Sequence, residues 1–297
     1  MFNAEFARTL ATVIEEGSLD GAARRLHVTP SAVSQRIKAL EESVGRVLLI
    51  RAKPVRPTAA AEPIVRFARQ LALIQHDAMT ALTGNELVSI PLAVNADSLA
   101  TWFLEPLARL TRRTRLVFDL HRDDQDFTAG LLESGTVMGA VTSRAEPVAG
   151  CRAVPLGVMR YEAVAAPEFA ERWWDARRDA VPSPDALASA PRVDFDRRDD
   201  LQRRWLALRG AAGDSGPRHF VPASHDFAEA VLRGLGWGLL PAVQSARGLA
   251  DGALVRLGGP SIDVPLTWQQ WNLHSPLLDL VAEEIVAEGA RVLGRAG

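Results

Sequence analysis

Apolar residues Phe2, Phe6, Leu10, Val13 and Ile14 recur at three- and four-residue intervals, which predicts an amphipathic helix that Gly17 ends. A short second helix follows, capped by Ser18 or Asp20, with Ala22, Ala23 and Leu26 on its buried side. His27 and Val28 make a tight connection. Thr29 then reads as an N-cap, with Pro30 in the first helical position, where its missing N–H costs nothing. Val33, Ile37 and Leu40 form the inward stripe of a third helix. The stretch VLLIRAKPVRPT predicts two short strands joined by a turn at Ala52–Pro54. Residues 58–83 are again helical in period (Ile64, Phe67, Leu71, Ile74, Ala78, Leu82), with Pro63 in or near the first turn and Gly84–Asn85 as the stop.

From Leu87 onward the pattern alternates between strands and helices. Strands are predicted at 88–96, 115–121 and 137–143, with helices at 99–111 and 126–134. A second run places strands at 192–196, 218–223, 236–242 and 253–257 among helices at 199–209, 226–235 and 243–251. This texture predicts two α/β lobes built on parallel sheets. The stretch 264–273 and a final helix at 276–293 are expected to return the chain to the first lobe. The expected division is a head at 1–58, a linker helix at 59–84 and a two-lobed body at 88–297. Lobe one takes about 88–161 and 267–297, and lobe two about 162–266. Clefts at strand C-termini in such lobes take small molecules.

With the Val33–Ile37–Leu40 stripe inward, Ser31, Ser34, Gln35 and Lys38 face outward, with Arg36 on a flank. Short hydrogen-bonding groups and cations on one helix face suit the major groove, where Gln bonds adenine and Arg bonds guanine. Arg51, Lys53 and Arg56 on the hairpin suit phosphates beside it. Two helices, a tight turn and a polar-faced third helix followed by a hairpin make a winged helix-turn-helix. The alternative is a three-helix packing unit with a solvated face. The charge distribution favours DNA: the net charge is −2, but residues 1–60 carry +3 and the remainder −5.

Composition narrows the rest. Apolar residues make up 47% and charged residues 24% of 297 residues, enough for a buried core in an ordinary globular protein. The N-terminus has no secretory pattern and no stretch is long and apolar enough to span a bilayer, so a cytoplasmic protein without a membrane partner is expected. The single cysteine, Cys151, excludes an internal disulfide, and the six histidines show no ligand spacing, so no metal is expected. The segment GLGWG at 234–238 precedes a strand instead of opening a helix, which makes it a helix stop and turn. No nucleophile arrangement is present, so the chain is not expected to be an enzyme and needs no cofactor beyond a small-molecule effector.

Two places in the body could meet a ligand. Asp97 and Ser98 follow a buried strand and open a helix, where a hydroxyl beside a helix N-terminus suits a carboxylate, or merely caps the helix. Asp123, Asp124 and Asp126 follow the second strand and could balance a cation, or form a solvated acidic turn. Anion recognition at one end and carboxylates at the other describe a basic amino acid.

The stretch GSLDGAARRLHVTPSAVSQRIKALEESVGRVLLIR resembles the N-terminal signature of LysR-type transcriptional regulators, departing from it in having TPS where many members have SQP. The resemblance extends over the body, to effector domains that share the architecture of periplasmic solute-binding proteins. It implies that Ser31, Ser34, Gln35 and Arg36 face double-stranded DNA, with Arg51 on phosphate. It also implies that the helix at 58–83 dimerises the chain, in a homodimer or homotetramer that can work with RNA polymerase. NADSLATW, DLHRDDQDFT, GAVTS and FDRRDDLQ resemble the branch that senses lysine, arginine and sometimes histidine and controls basic amino-acid export. By that resemblance Ser98, Thr101 and Thr142 hold the effector's carboxylate, and Asp124, with Asp97 or Asp226, meets its ammonium groups. The alternatives are a different small-molecule effector, or a ligand-independent architectural protein that bends DNA or inhibits replication.

Overall fold

The structure is a computed structural model that describes residues 3–83, 87–122, 128–174, 181–211 and 216–294. Its head is built as local chemistry dictates. Helix α1 (Ala4–Glu16) ends at Gly17 in the left-handed region, φ 63°. Helix α2 (Leu19–Leu26) is capped by Ser18, whose hydroxyl accepts from the Gly21 amide, and it ends at His27, φ 54°. Helix α3 (Pro30–Val44) is capped by Thr29 accepting from Ala32 N at 3.2 Å. Strands β1 (Leu49–Ile50) and β2 (Arg56–Pro57) pair antiparallel as the wing. The Val55 amide donates to Gly17 O at 2.8 Å, fixing the wing to the α1–α2 corner. Helix α4 (Glu62–Thr83) follows, and its Ile64, Val65 and Ala68 enter the same core as Leu10, Val13, Val33, Ile37 and Leu40. Phe2, Gly84 and Asn85 of the sequence reading lie outside the described residues, as does the Leu82 side chain.

The body continues with β3 (Val88–Val94), α5 (Ala96–Thr101), α6 (Leu104–Arg113), β4 (Leu116–Arg122), α7 (Thr128–Glu133) and β5 (Gly139–Thr142). Then come β6 (Cys151–Ala165), α8 (Pro167–Trp173), α9 (Pro184–Ser189), β7 (Arg192–Asp194), α10 (Leu201–Leu208) and β8 (Arg218–Phe220). The chain ends with α11 (Ser224–Leu232), β9 (Gly238–Pro241), α12 (Ala242–Ala250), β10 (Val255–Arg256), β11 (Ile262–Trp271) and α13 (Pro276–Val292). The helix predicted at 99–111 is two helices. Pro106 has no N–H for the Trp102 carbonyl, so the helix breaks there and restarts at Leu104.

The chain forms two compact units, Met1–Ala93 with Arg109–Ala153 and Trp268–Glu283, and Val94–Ala108 with Val154–Thr267 and Glu284–Gly297. In the first, β3 and β5 run parallel with Leu92 opposite Gly139. Gly139 is required by packing, because a Cβ would stand 2.4 Å from the buried Trp268 indole. Gln269 fastens the loop after β5, accepting from Val148 N and donating to the carbonyls of Arg144 and Glu146. Arg66 of α4 donates to the carbonyls of Leu132 and Ala149, and Arg69 joins Glu15 of α1 to the carbonyl of Gly135.

In the second unit β7 and β8 are parallel, whereas β6 pairs antiparallel with both β9 and β10. Strands in this unit therefore pair in both senses, in separate sheets, and not only in parallel as predicted. The cause is β6, a 15-residue strand that periodicity does not reveal, because Pro155 and Gly157 interrupt its alternation. At Gly157 (φ 136°) a Cβ would meet the Leu293 Cβ at 2.7 Å, and Val158 exchanges backbone bonds with Gly294 beside it. Val164, Val193, Phe227, Val231, Leu240 and Leu254 form a core cluster in this unit.

Candidate DNA interface and effector site

On α3 the inward stripe is buried, and Ser31, Ser34, Gln35 and Lys38 are exposed together on the opposite side. Two are lightly held: the Ser31 hydroxyl lies 2.9 Å from that of Thr29, and the Lys38 ammonium is 3.7 Å from Glu42. Arg51, Lys53 and Arg56 are exposed on the wing. Arg36 departs from the expectation. Its guanidinium turns onto α1, 2.7 Å from the Glu5 carboxylate and 3.5 Å from the Thr9 hydroxyl, and only 21% of the side chain is exposed. Position 36 adjoins the buried Ile37, so the side chain lies along the head and meets the acidic first turn of α1 before it reaches outward.

The second unit gathers a polar cluster in which Asp194 is buried and Asp97 and Asp199 are half-buried. Asp97 sits in the first turn of α5, and its Oδ2 accepts from the Tyr161 hydroxyl of β6 at 2.6 Å. The Ser224 hydroxyl, at the start of α11, faces the same carboxyl. Burial pushes the Asp97 carboxyl above its ordinary value, and the facing Ser224 hydroxyl and the hydrogen bond from Tyr161 pull the other way. Asp199 is pushed up to about 6, by burial first and then by the carboxylates of Asp194 and Asp97, although the amides of Phe195 and Leu201 donate to it. Asp194 is itself buried, bonded to Arg192 at 3.0 Å with Arg218 at 3.6 Å. The cluster thus holds more carboxyl groups than its arginines neutralise, which disposes it to take up a proton or a cation.

Beside these acids, Ser98 Oγ, Asn95 Oδ1 and Trp102 Nε1 are buried without a hydrogen-bond partner. Buried polar atoms are rarely left so, and a ligand's polar groups would satisfy them. Asn95 stands at the N-cap of α5 but makes no capping bond, so Asp97 and Ser98 are not the caps. With six residues, α5 is also too short to serve as the anion-binding helix dipole that the sequence suggested. Thr101 donates to the Asp97 carbonyl at 2.6 Å, which occupies its proton within the helix. Asp226 is exposed on α11, so it does not join the cluster. Thr142 is fully buried in the first unit, where its Oγ1 accepts from Arg144 N. Asp123, Asp124 and Asp126 lie outside the described residues.

Sequence reasoning missed Tyr161, Asp194, Asp199 and Ser224 as site candidates. The only signals were a lone tyrosine in an apolar run and the acids of VDFDRRDD. Cys151 is half-buried, and burial pushes its thiol up to about 11, so it is no reactive thiolate at neutral pH.

Comparison with known proteins places these features. Residues 5–62 match the bacterial regulatory helix-turn-helix protein family, LysR type, and residues 89–290 match the LysR substrate-binding domain. The HTH-type transcriptional regulator LysG of Mycobacterium tuberculosis is 44% identical over 281 residues, 94% of this chain and 90% of that one. The crystal structure of ArgP from Mycobacterium tuberculosis superposes with a TM-score of 0.88 at 42% identity, covering 100% of both chains. Full-length LysG from Corynebacterium glutamicum, with bound effector Arg, superposes at 0.77 and 38% identity over 99% of this chain and 100% of that one. The exposed helix face, the wing and the α/β body that carries the acidic cluster are those of a transcription regulator and not of an enzyme, and the chain belongs to the LysR family of bacterial helix-turn-helix regulators.

Proposed function

We propose that this regulator senses a basic amino acid (arginine, lysine or histidine) and controls an exporter of basic amino acids or related metabolism, acting as a homodimer or homotetramer in the cytoplasm. The observation that carries the effector reading is the largely buried acidic cluster around Asp97, which holds two half-buried carboxyls above their ordinary range. A cationic ligand stabilises such groups in their charged form, whereas an anionic one would add to the repulsion. The relative with bound Arg supports the same class of effector. For DNA, Ser31, Ser34, Gln35 and Lys38 meet base edges, and Arg51 and Lys53 hold phosphates. The effector alters DNA binding only in so far as it binds one arrangement of the protein more tightly than another.

Thermal unfolding of the full-length protein against each of the twenty amino acids tests the reading. A ligand present at a hundred times its Kd adds about 2.7 kcal/mol to the stability of the folded state. A rise in Tm confined to arginine, lysine or histidine is expected. A rise with an acidic or apolar amino acid instead would reject the basic effector and leave the DNA-binding regulator in place.

A further inference from the structure

Three groups on separate elements converge on one carboxyl. Asp97 comes from α5, Tyr161 from the middle of β6, and Ser224 from the start of α11, the helix packed on α5. Tyr161 is 2% exposed, and its hydroxyl lies 2.6 Å from Asp97 Oδ2. A phenol at that distance donates strongly to an ionised carboxylate, which leaves Oδ1 to meet a cation. Beside Asp97, the buried Asn95 Oδ1 and Ser98 Oγ still lack partners.

We propose that Asp97 is the acceptor for the effector's cationic group and that Tyr161 is its positioning residue, the hydroxyl that orients the carboxylate and favours its ionised, ligand-receiving form. This rests on the reading of the chain as a sensor of basic amino acids. Burial opposes ionisation of Asp97, and its charge also bears on nearby Asp199. The arginines that approach this group of acids, Arg192 and Arg218, are committed to Asp194. His225, Asp226 and Glu229 of α11 are exposed. The hydrogen bond from Tyr161, with the Ser224 hydroxyl facing the same carboxyl, therefore lowers the cost of charging Asp97 before a ligand arrives. Binding of a cation then displaces a proton, and affinity rises with pH as Asp97 ionises.

The test is the Kd of arginine for the full-length protein and for Tyr161→Phe, Ser224→Ala and Asp97→Asn, measured by calorimetry between pH 5.5 and 8. Asp199 titrates within this range, so each variant is compared with wild type at every pH. Loss of the tyrosine hydroxyl raises the Asp97 pKa. The loss of affinity in Tyr161→Phe should be largest at the acid end of this range, roughly tenfold for each unit by which the Asp97 pKa rises, and should shrink as pH rises. Ser224→Ala should behave likewise, which guards against a packing defect peculiar to the tyrosine site. Asp97→Asn should bind about a hundredfold more weakly and lose the Asp97 part of the pH dependence. An equal loss at every pH in Tyr161→Phe would make the tyrosine a packing residue and overturn the proposal, as would wild-type affinity in Asp97→Asn. If the wild-type protein binds neither arginine, lysine nor histidine at any pH, the effector reading itself fails, and the role given to Asp97 falls with it.

Discussion

At Asp199 the fold keeps a carboxyl away from water and near two other acids. Its group is pushed up to about 6 from an ordinary value of 3.8. Between those values the folded state holds a proton that the unfolded state has released, so the proton stabilises the fold most at acid pH. That contribution is lost as pH rises from about 4 to about 6, and for a largely buried group it amounts to about 3 kcal/mol. Half-buried Asp196 and exposed Asp263 act in the opposite sense, since neighbouring donors, led at Asp263 by Arg160, hold them below the ordinary carboxylate value. The Asp199 part is isolated by comparing Tm against pH for wild type and Asp199→Asn. The variant should gain stability relative to wild type as pH rises from 4 to 6, offset by the one amide it can no longer accept. Parallel curves across that interval would mean that another group binds the proton.

Helix α3 shows how an element is specified by its ends as well as its stripe. Thr29 stops the preceding turn by accepting from the Ala32 amide, Pro30 supplies a preset φ, and Gly45 closes the helix in the left-handed region. Thr29 is exposed, so its replacement disturbs the cap without opening the core. Thr29→Ala should cost about 1 kcal/mol of local stability, a loss of roughly fivefold in hydrogen-exchange protection of the first α3 amides, and Thr29→Ser should restore it. Protection unchanged in the alanine variant would show that contacts with α1 and α2 alone hold the helix start. The sequence allowed this element to be read because caps and stripes act within four residues of one another. It did not reveal β6, whose residues pair with strands about eighty and ninety residues further on.

Across the whole chain, α4 has two faces with different fates. Ile64, Val65 and Ala68 are buried in the head, whereas Phe67, Ile74 and Met79 are 40%, 49% and 40% exposed. An apolar seam left exposed along a 22-residue helix suits a second copy of the same helix. Ile74→Glu should therefore shift the protein toward monomer in sedimentation velocity at micromolar concentration. It should also weaken operator binding at least tenfold, because one head reaches only one half-site. An unchanged sedimentation coefficient would remove α4 from the dimer interface.

Local spacing in the sequence determined the head in nearly all its detail, the linker helix and most strands and helices of the body. Those depend on which face of a short segment is apolar and on cap residues a few positions away. The same spacing placed Arg36 on a DNA-facing flank, and only the folded head turned it to Glu5, a partner on another helix. Tertiary structure likewise decided the chemistry of the candidate effector site. Asp97 meets Tyr161 across 64 residues and Ser224 from a third element, and Asp199 titrates near 6 because the fold removes its water. Desolvation and charge proximity arise from packing between distant segments, and no spacing along the chain encodes them.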